Sequence, residues 1–201
     1  MKLSTNQLRT IIKEELAEVL KRRTLLVFDF DDTIAHTDSK VFVKRNNEKI
    51  GMDSGQFANY KYQPGDELDF SDFDRVEGSV IPHTLQILKD EMKKGHKVVV
   101  ITARPPGAIE GIKRFFEQNE IEPPDIYATS GSSNKPPVLR DLLDQENYSL
   151  VVVYEDCEKN IESLKSVAEE MDVPYAAICV ERSTRMRKVH EINNQPTPIN
   201  H

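Results

Sequence analysis

The sequence predicts a Rossmann-like three-layer α/β/α fold, in which a central parallel sheet lies between layers of helices. Apolar runs at 24–29, 97–101, 125–129, 150–154 and 175–180 read as strands, and the stretches between most of them read as amphipathic helices. Alternating strand and helix is the pattern of a parallel sheet with crossover connections. Two of the runs end in carboxylates, Asp29, Asp31 and Asp32 after the first and Glu155 with Asp156 after the fourth. Open α/β sheets bind ligands just beyond the carboxyl ends of their strands.

Residues 4–22 read as a helix placed ahead of the first strand. Leu8, Ile11, Ile12, Leu16, Val19 and Leu20 recur at helical spacing. Ser4 is suited to the N-cap, Gln7 completes a capping box, and Leu3 is placed to pack on Leu8. Lys21, Arg22 and Arg23 bring cations to the helix C-terminus, where the dipole is negative. A catalytic core has no evident need of this helix. Residues 1–23 are therefore expected as a separate amphipathic element, packing on its own domain or serving self-association or partner docking.

The core is expected over 24–192. Its first strand, 24–29, runs into Asp29, Phe30, Asp31, Asp32 and Thr33. Residues 34–80 then interrupt the alternation, with scattered aromatics, four glycines and no long helical periodicity. Val41 to Lys44 read as a short strand and Asn46-Asn47 as a turn. This insertion is expected to form hairpins or a small lid. Helices follow near 81–94, stopped by Gly95, and near 108–119, after which Pro123-Pro124 reset the chain to extended geometry. Further helices are expected near 137–145, 158–171 and 183–191, and 193–201 as a loose polar tail.

Bulk composition narrows the class. The 201 residues carry 38% hydrophobic and 30% charged residues and no Trp, which suits a soluble protein of one domain with an insertion. No apolar run approaches the length a bilayer requires, so no membrane partner is expected. Cys157 and Cys179 match no zinc or redox spacing and are read as reduced thiols of a cytoplasmic protein. A net charge of −7 opposes general binding to nucleic acid. Locally, 40–61 holds Lys40, Lys44, Arg45, Lys49 and Lys61 with Phe42, Phe57 and Tyr60 interleaved, a mixture that can hold single strands. The acidic 66–77 opposes that reading, and a solvated hairpin face accounts for the same residues.

Three carboxylates within four positions repel one another and lose solvation at a strand end, unless a cation or a catalytic task offsets the cost. The order of motifs then becomes informative. Asp29-Phe-Asp-Asp-Thr33 resembles the first signature of the haloacid dehalogenase superfamily of phosphotransferases, Asp-x-Asp-x-Thr. Thr102, ending the strand Val98 to Ile101, resembles the second motif. Lys135, opening a helix-like run, resembles the third, and Glu155-Asp156 with Asn160 resembles the fourth. The resemblance covers roughly residues 24–182.

The resemblance implies a HAD-like core and a magnesium-dependent phosphatase acting through an aspartyl-phosphate. Asp29 would be the nucleophile and Asp31 the general acid and base, which requires the chain to kink between them. Thr102 would donate to the phosphoryl group and Lys135 would neutralise its charge. Mg2+ would be held by Asp29, Asp156 and the backbone carbonyl of Asp31, with Glu155 and Asn160 orienting these ligands. Insertions after the first motif form caps over the substrate in that superfamily. The substrate is expected to be a phosphorylated small molecule, a nucleotide or a nucleic-acid end. A phosphomutase or other phosphotransferase, and a binding protein without turnover, stand as alternatives. Arg104 lies near the site without being required by the motif. His36 is read as an exposed loop residue or a leaving-group contact, and Cys157 as a small filler.

Overall fold

The computed structural model describes residues 23–58, 60–181 and 186–190. The helix expected at 4–22 and the tail expected at 193–201 lie outside them.

A six-stranded sheet forms the centre. Its parallel strands are β1 (Arg23–Phe28), β7 (Lys97–Thr102), β8 (Asp125–Ala128), β9 (Tyr148–Glu155) and β10 (Tyr175–Val180). They lie in the order β10-β9-β1-β7-β8, and β11 (Met186–His190) adds an antiparallel edge beside β10. The helix expected over 183–191 is corrected: its described part is this strand. β10 would otherwise present an open row of backbone groups, and ladder pairing outweighs a weak helical pattern there.

The inner parallel strands are buried on both faces, as strands covered by crossover helices must be, while β8 at the edge is only half-buried. Leu25 and Val27 of β1 enter one core with Val99, Ile101, Val151 and Val153. On that face pack α4 (Lys135–Gln145) through Leu139 and Leu142, and α5 (Glu158–Glu170) through Ile161 and Leu164. Leu26 and Phe28 point the other way, into a core with Val98 and Val100. This second face is covered by α2 (Pro82–Lys93) through Leu85 and Leu88, and by α3 (Ile109–Gln118) through Ile112 and Phe116. Three layers result, as the alternation predicts.

The insertion leaves and rejoins the core through an antiparallel pair, β2 (Ala35–Thr37) with β6 (Gly78–Val80). Beyond this neck lies a three-stranded sheet in the order β4-β3-β5, from β3 (Val41–Arg45), β4 (Glu48–Met52) and β5 (Glu67–Asp69), with a single-turn helix α1 (Ser54–Ala58). Asn46 and Asn47 join β3 to β4 with φ of 48° and 65°. Positive φ at both central residues is what a tight hairpin turn requires, and Asn tolerates it. Phe57, Tyr62, Phe70 and Phe73 meet edge-to-face in a chain across the insertion.

Candidate active site

The sheet order creates the site. From β1 the chain builds outward through β7 and β8, then returns to the other side of β1 as β9. Neighbouring connections therefore diverge between β1 and β9, which is where open α/β sheets leave a crevice at their carboxyl ends. Phe28 pairs with Tyr154, so Asp29 on one strand and Glu155 and Asp156 at the end of the other emerge together. The Asp29 N–H still donates to the Tyr154 carbonyl at 2.9 Å. After Asp29 the chain leaves the sheet in a tight loop. The N–H groups of Ile34 and Ala35 both donate to the Phe30 carbonyl, and Asp32 takes a φ of 57°. The backbone thus turns sharply between Phe30 and Ala35, just after β1.

Asp29, Glu155 and Asp156 each offer an oxygen, and these oxygens lie within 4.8 Å of one another, close enough to hold one cation. Lys135, only 1% exposed, donates to Asp29 Oδ1 at 2.6 Å and to Glu155 Oε2 at 2.7 Å. It reaches the cluster because α4 begins at Lys135 itself, with prolines in its first turn, where their missing N–H groups cost nothing. Asn160 of α5 donates to Glu155 Oε1 at 3.1 Å and fixes that carboxylate from behind. Glu155 is thus a direct neighbour of Lys135 and lies with both aspartates in one cluster.

The electrostatics of this cluster follow from two buried carboxylates and a half-buried one facing one ammonium. Burial, then the nearby Glu155 carboxylate, raise the pKa of Asp29 well above the ordinary range despite Lys135. The same two causes push Asp156 up to about 7. Burial pulls Lys135 down, but Asp29 and Glu155 more than reverse this and hold its ammonium above the usual lysine range. A divalent cation among these oxygens would relieve the repulsion, and a hard, all-oxygen donor set suits magnesium.

Asp31 is placed differently from the other acids. Its carboxylate is gripped by Arg104, from Nε to Oδ2 at 2.8 Å and from Nη2 to Oδ1 at 2.7 Å. Thr37 Oγ1 also donates to Oδ1, at 2.5 Å. Thr102 is buried at the end of β7, and its hydroxyl oxygen accepts the Arg104 N–H at 3.2 Å. A hydroxyl that accepts one hydrogen bond keeps its own proton to donate. His36 Nδ1 lies 3.0 Å from Asp32 Oδ1, one helical turn's spacing away in sequence. Cys157 precedes α5, and both cysteines are free thiols. In the insertion, Lys44 and Lys49 share Asp69, at 2.8 and 3.5 Å, and Arg45 meets Asp66 at 3.5 Å. Those cations are matched internally, which weakens the reading of a groove for single strands. No helix among the described residues is long and apolar enough to cross a membrane.

Comparison of the chain with protein-family models, with curated proteins and with solved structures finds no match in any of the three. Sequence alone pointed to Asp29, Asp31, Thr102, Lys135 and Asp156. The structure brings Asp29, Lys135 and Asp156 into one cluster with Glu155, and sets Asp31 and Thr102 against Arg104. The Arg104 grip had no local signal, because the partner lies 73 residues away in sequence.

Proposed function

We propose that this protein is a magnesium-dependent phosphomonoester hydrolase of the haloacid dehalogenase type, working through an aspartyl-phosphate on Asp29. The observation that carries the reading is the set of buried Asp29 and Glu155 and half-buried Asp156 beside Lys135 at the carboxyl ends of β1 and β9. Asp29 and Asp156 would hold Mg2+ through side-chain oxygens, beside the Asp31 carbonyl. The bound ion would supply the positive charge that lets a carboxylate and a phosphate dianion meet.

In the first step an Asp29 oxygen forms a bond to phosphorus and the bond to the leaving oxygen breaks. Asp31 gives its proton to that oxygen, so an alcohol departs. In the second step Asp31 takes a proton from water, the water oxygen bonds to phosphorus, and Asp29 leaves as carboxylate with release of phosphate. The Thr102 hydroxyl and the Lys135 ammonium face the charge spread over the phosphoryl oxygens. The insertion acts as a cap that selects the substrate. With Lys44, Arg45 and Lys49 matched by carboxylates, a small phosphomonoester or a nucleotide is favoured over an extended strand.

Phosphate release from sugar phosphates, nucleotides, phosphorylated oligonucleotides and an aryl phosphate tests this reading, with magnesium and with chelator. Magnesium-dependent hydrolysis of at least one substrate is expected. Turnover that persists unchanged after thorough chelation would remove the metal, and silence on every substrate would remove the phosphatase.

A further inference from the structure

We infer that Arg104 is the positioning residue of Asp31, and that through Arg104 the insertion sets the place of the general acid. The inference rests on the phosphatase reading and assigns to it a group that the acid motif itself does not contain.

Arg104 is delivered by the end of β7 and is 1% exposed, among the largest side chains wholly inside the molecule. A buried guanidinium needs a partner for its charge and acceptors for its N–H groups. Arg104 finds its charge partner in Asp31 and its remaining acceptors in the insertion. Nη1 donates to the Phe73 carbonyl at 2.6 Å and to the Arg75 carbonyl at 3.4 Å. Nη2 donates to Thr37 Oγ1 at 2.9 Å and to Ser39 Oγ at 3.1 Å. The guanidinium carbon lies 4.8 Å from the Phe73 ring centre and 5.6 Å from that of Phe30. Phe30 stands between the two catalytic aspartates in sequence, and Phe73 belongs to the insertion. The arginine is therefore held by the nucleophile loop on one side and by the insertion on the other.

The geometry also selects an oxygen. Asp31 Oδ1 accepts from Thr37 and from Arg104 Nη2, which occupies both of its lone pairs. Among the described residues Oδ2 accepts only from Arg104 Nε, at 2.8 Å, and keeps one position open. Oδ2 is the oxygen that carries the proton to and from the leaving group. A two-point contact with a planar guanidinium fixes the plane of the carboxylate, which a lysine ammonium cannot do. The base of the insertion has little room to shift. A Cβ at Gly107 would lie 2.5 Å from Asp74 Oδ1, and one at Gly111 would lie 2.7 Å from a Val76 methyl.

The test is the dependence of kcat on the leaving group. A poor alkoxide leaving group needs a proton from Asp31, whereas dinitrophenolate does not. In R104A, kcat on an alkyl phosphate is expected to fall by about 10²-fold or more, with KM little changed, because a misplaced general acid forfeits most of its typical 10²–10⁴-fold effect. On dinitrophenyl phosphate the first chemical step should stay within about threefold of wild type, read from the burst of dinitrophenolate, since no proton from Asp31 is required. R104K should fail like R104A, because it restores charge without the fork. Added guanidinium ion should recover part of the alkyl-phosphate rate in R104A. R104K, which keeps a cation beside Asp31 while removing the fork, decides the matter if R104A does not fold. An equal loss on both substrates in the folded variants, or a loss confined to KM, overturns the inference while wild-type turnover keeps the phosphatase reading standing. A wild-type protein silent on both substrates overturns that reading, and this inference with it.

Discussion

Lys135 is the residue whose removal has the clearest consequence. Among the described residues it is the one ammonium between Asp29 and Glu155, all three buried. Lys135→Met leaves two buried carboxylates without their cation, and breaking a buried pair from one side typically costs about 3–5 kcal/mol. A fall in the urea midpoint of the metal-free protein is expected, and an unchanged midpoint would contradict the pairing. Asp29→Asn should abolish turnover, because an amide is a poor nucleophile, and near wild-type rates would exclude the covalent route. The raised pKa values of Asp29 and Asp156 set a pH dependence of opposite sign to a salt-bridged acid. Below the unfolded value near 3.8 these carboxyls are protonated in both states. As pH rises toward about 7 the unfolded chain ionises first, so the metal-free fold loses stability across that window. A surface acid with a lowered pKa, such as Asp72, has its window below it. Thermal melts should therefore show metal-free stability declining toward neutrality, a smaller decline in Asp156→Asn, and a magnesium-induced rise in Tm that grows with pH. A magnesium effect larger in acid than at neutrality would contradict the assignment. The acids themselves were legible in the sequence because they follow apolar strands. The role of Glu155 was only half legible, since its nearness to Lys135 depends on where α4 begins in space.

At the scale of elements, the insertion reaches Arg104 from both of its ends. It holds Thr37 and Ser39 at its entry and the Phe73 and Arg75 carbonyls at its exit, all bonded to Arg104. Replacing it with a short flexible linker should therefore cost turnover as well as selectivity. A gentler test is Gly111→Val. A Cβ at this position already meets the Val76 side chain at 2.7 Å and the Asp74 carbonyl at 3.2 Å. The larger side chain must push the insertion base off α3, and overpacking of this kind costs about 1–3 kcal/mol. Both Tm and kcat should fall, whereas a drop in Tm with kcat intact would mean that the base of the insertion does not govern the site. Elements with strong periodicity or defined turn chemistry were legible, among them the five parallel strands and the Asn46-Asn47 hairpin. β11 was not. Met186 to His190 carry a pattern that fits either element, and the deciding partner is the open edge of β10, which no local window contains.

The whole molecule adds what no element has alone. Strand order places β9 beside β1 rather than beyond β8, and this return brings Asp29 together with Glu155 and Asp156 at neighbouring strand ends. The alternation of strands and helices gave the layers but not that order, because both sides of β1 are equally apolar in sequence. Every group placed at the site lies after position 28, and the sheet is complete from Arg23 onward among the described residues. Leu25 and Val27, with Leu26 and Phe28, are already covered by α2 to α5 on the two faces. Removing residues 1–22 should therefore leave the far-ultraviolet circular dichroism of the core, the magnesium-dependent rise in Tm and hydrolysis of a small aryl phosphate essentially unchanged. Any difference should fall on solubility, self-association or capture of a partner, the roles that the helical spacing of Leu8, Ile11, Ile12, Leu16, Val19 and Leu20 in the sequence suits. Loss of folding or of the magnesium response in the truncated chain would make the segment part of the core. Intact chemistry with altered sedimentation would assign it to assembly.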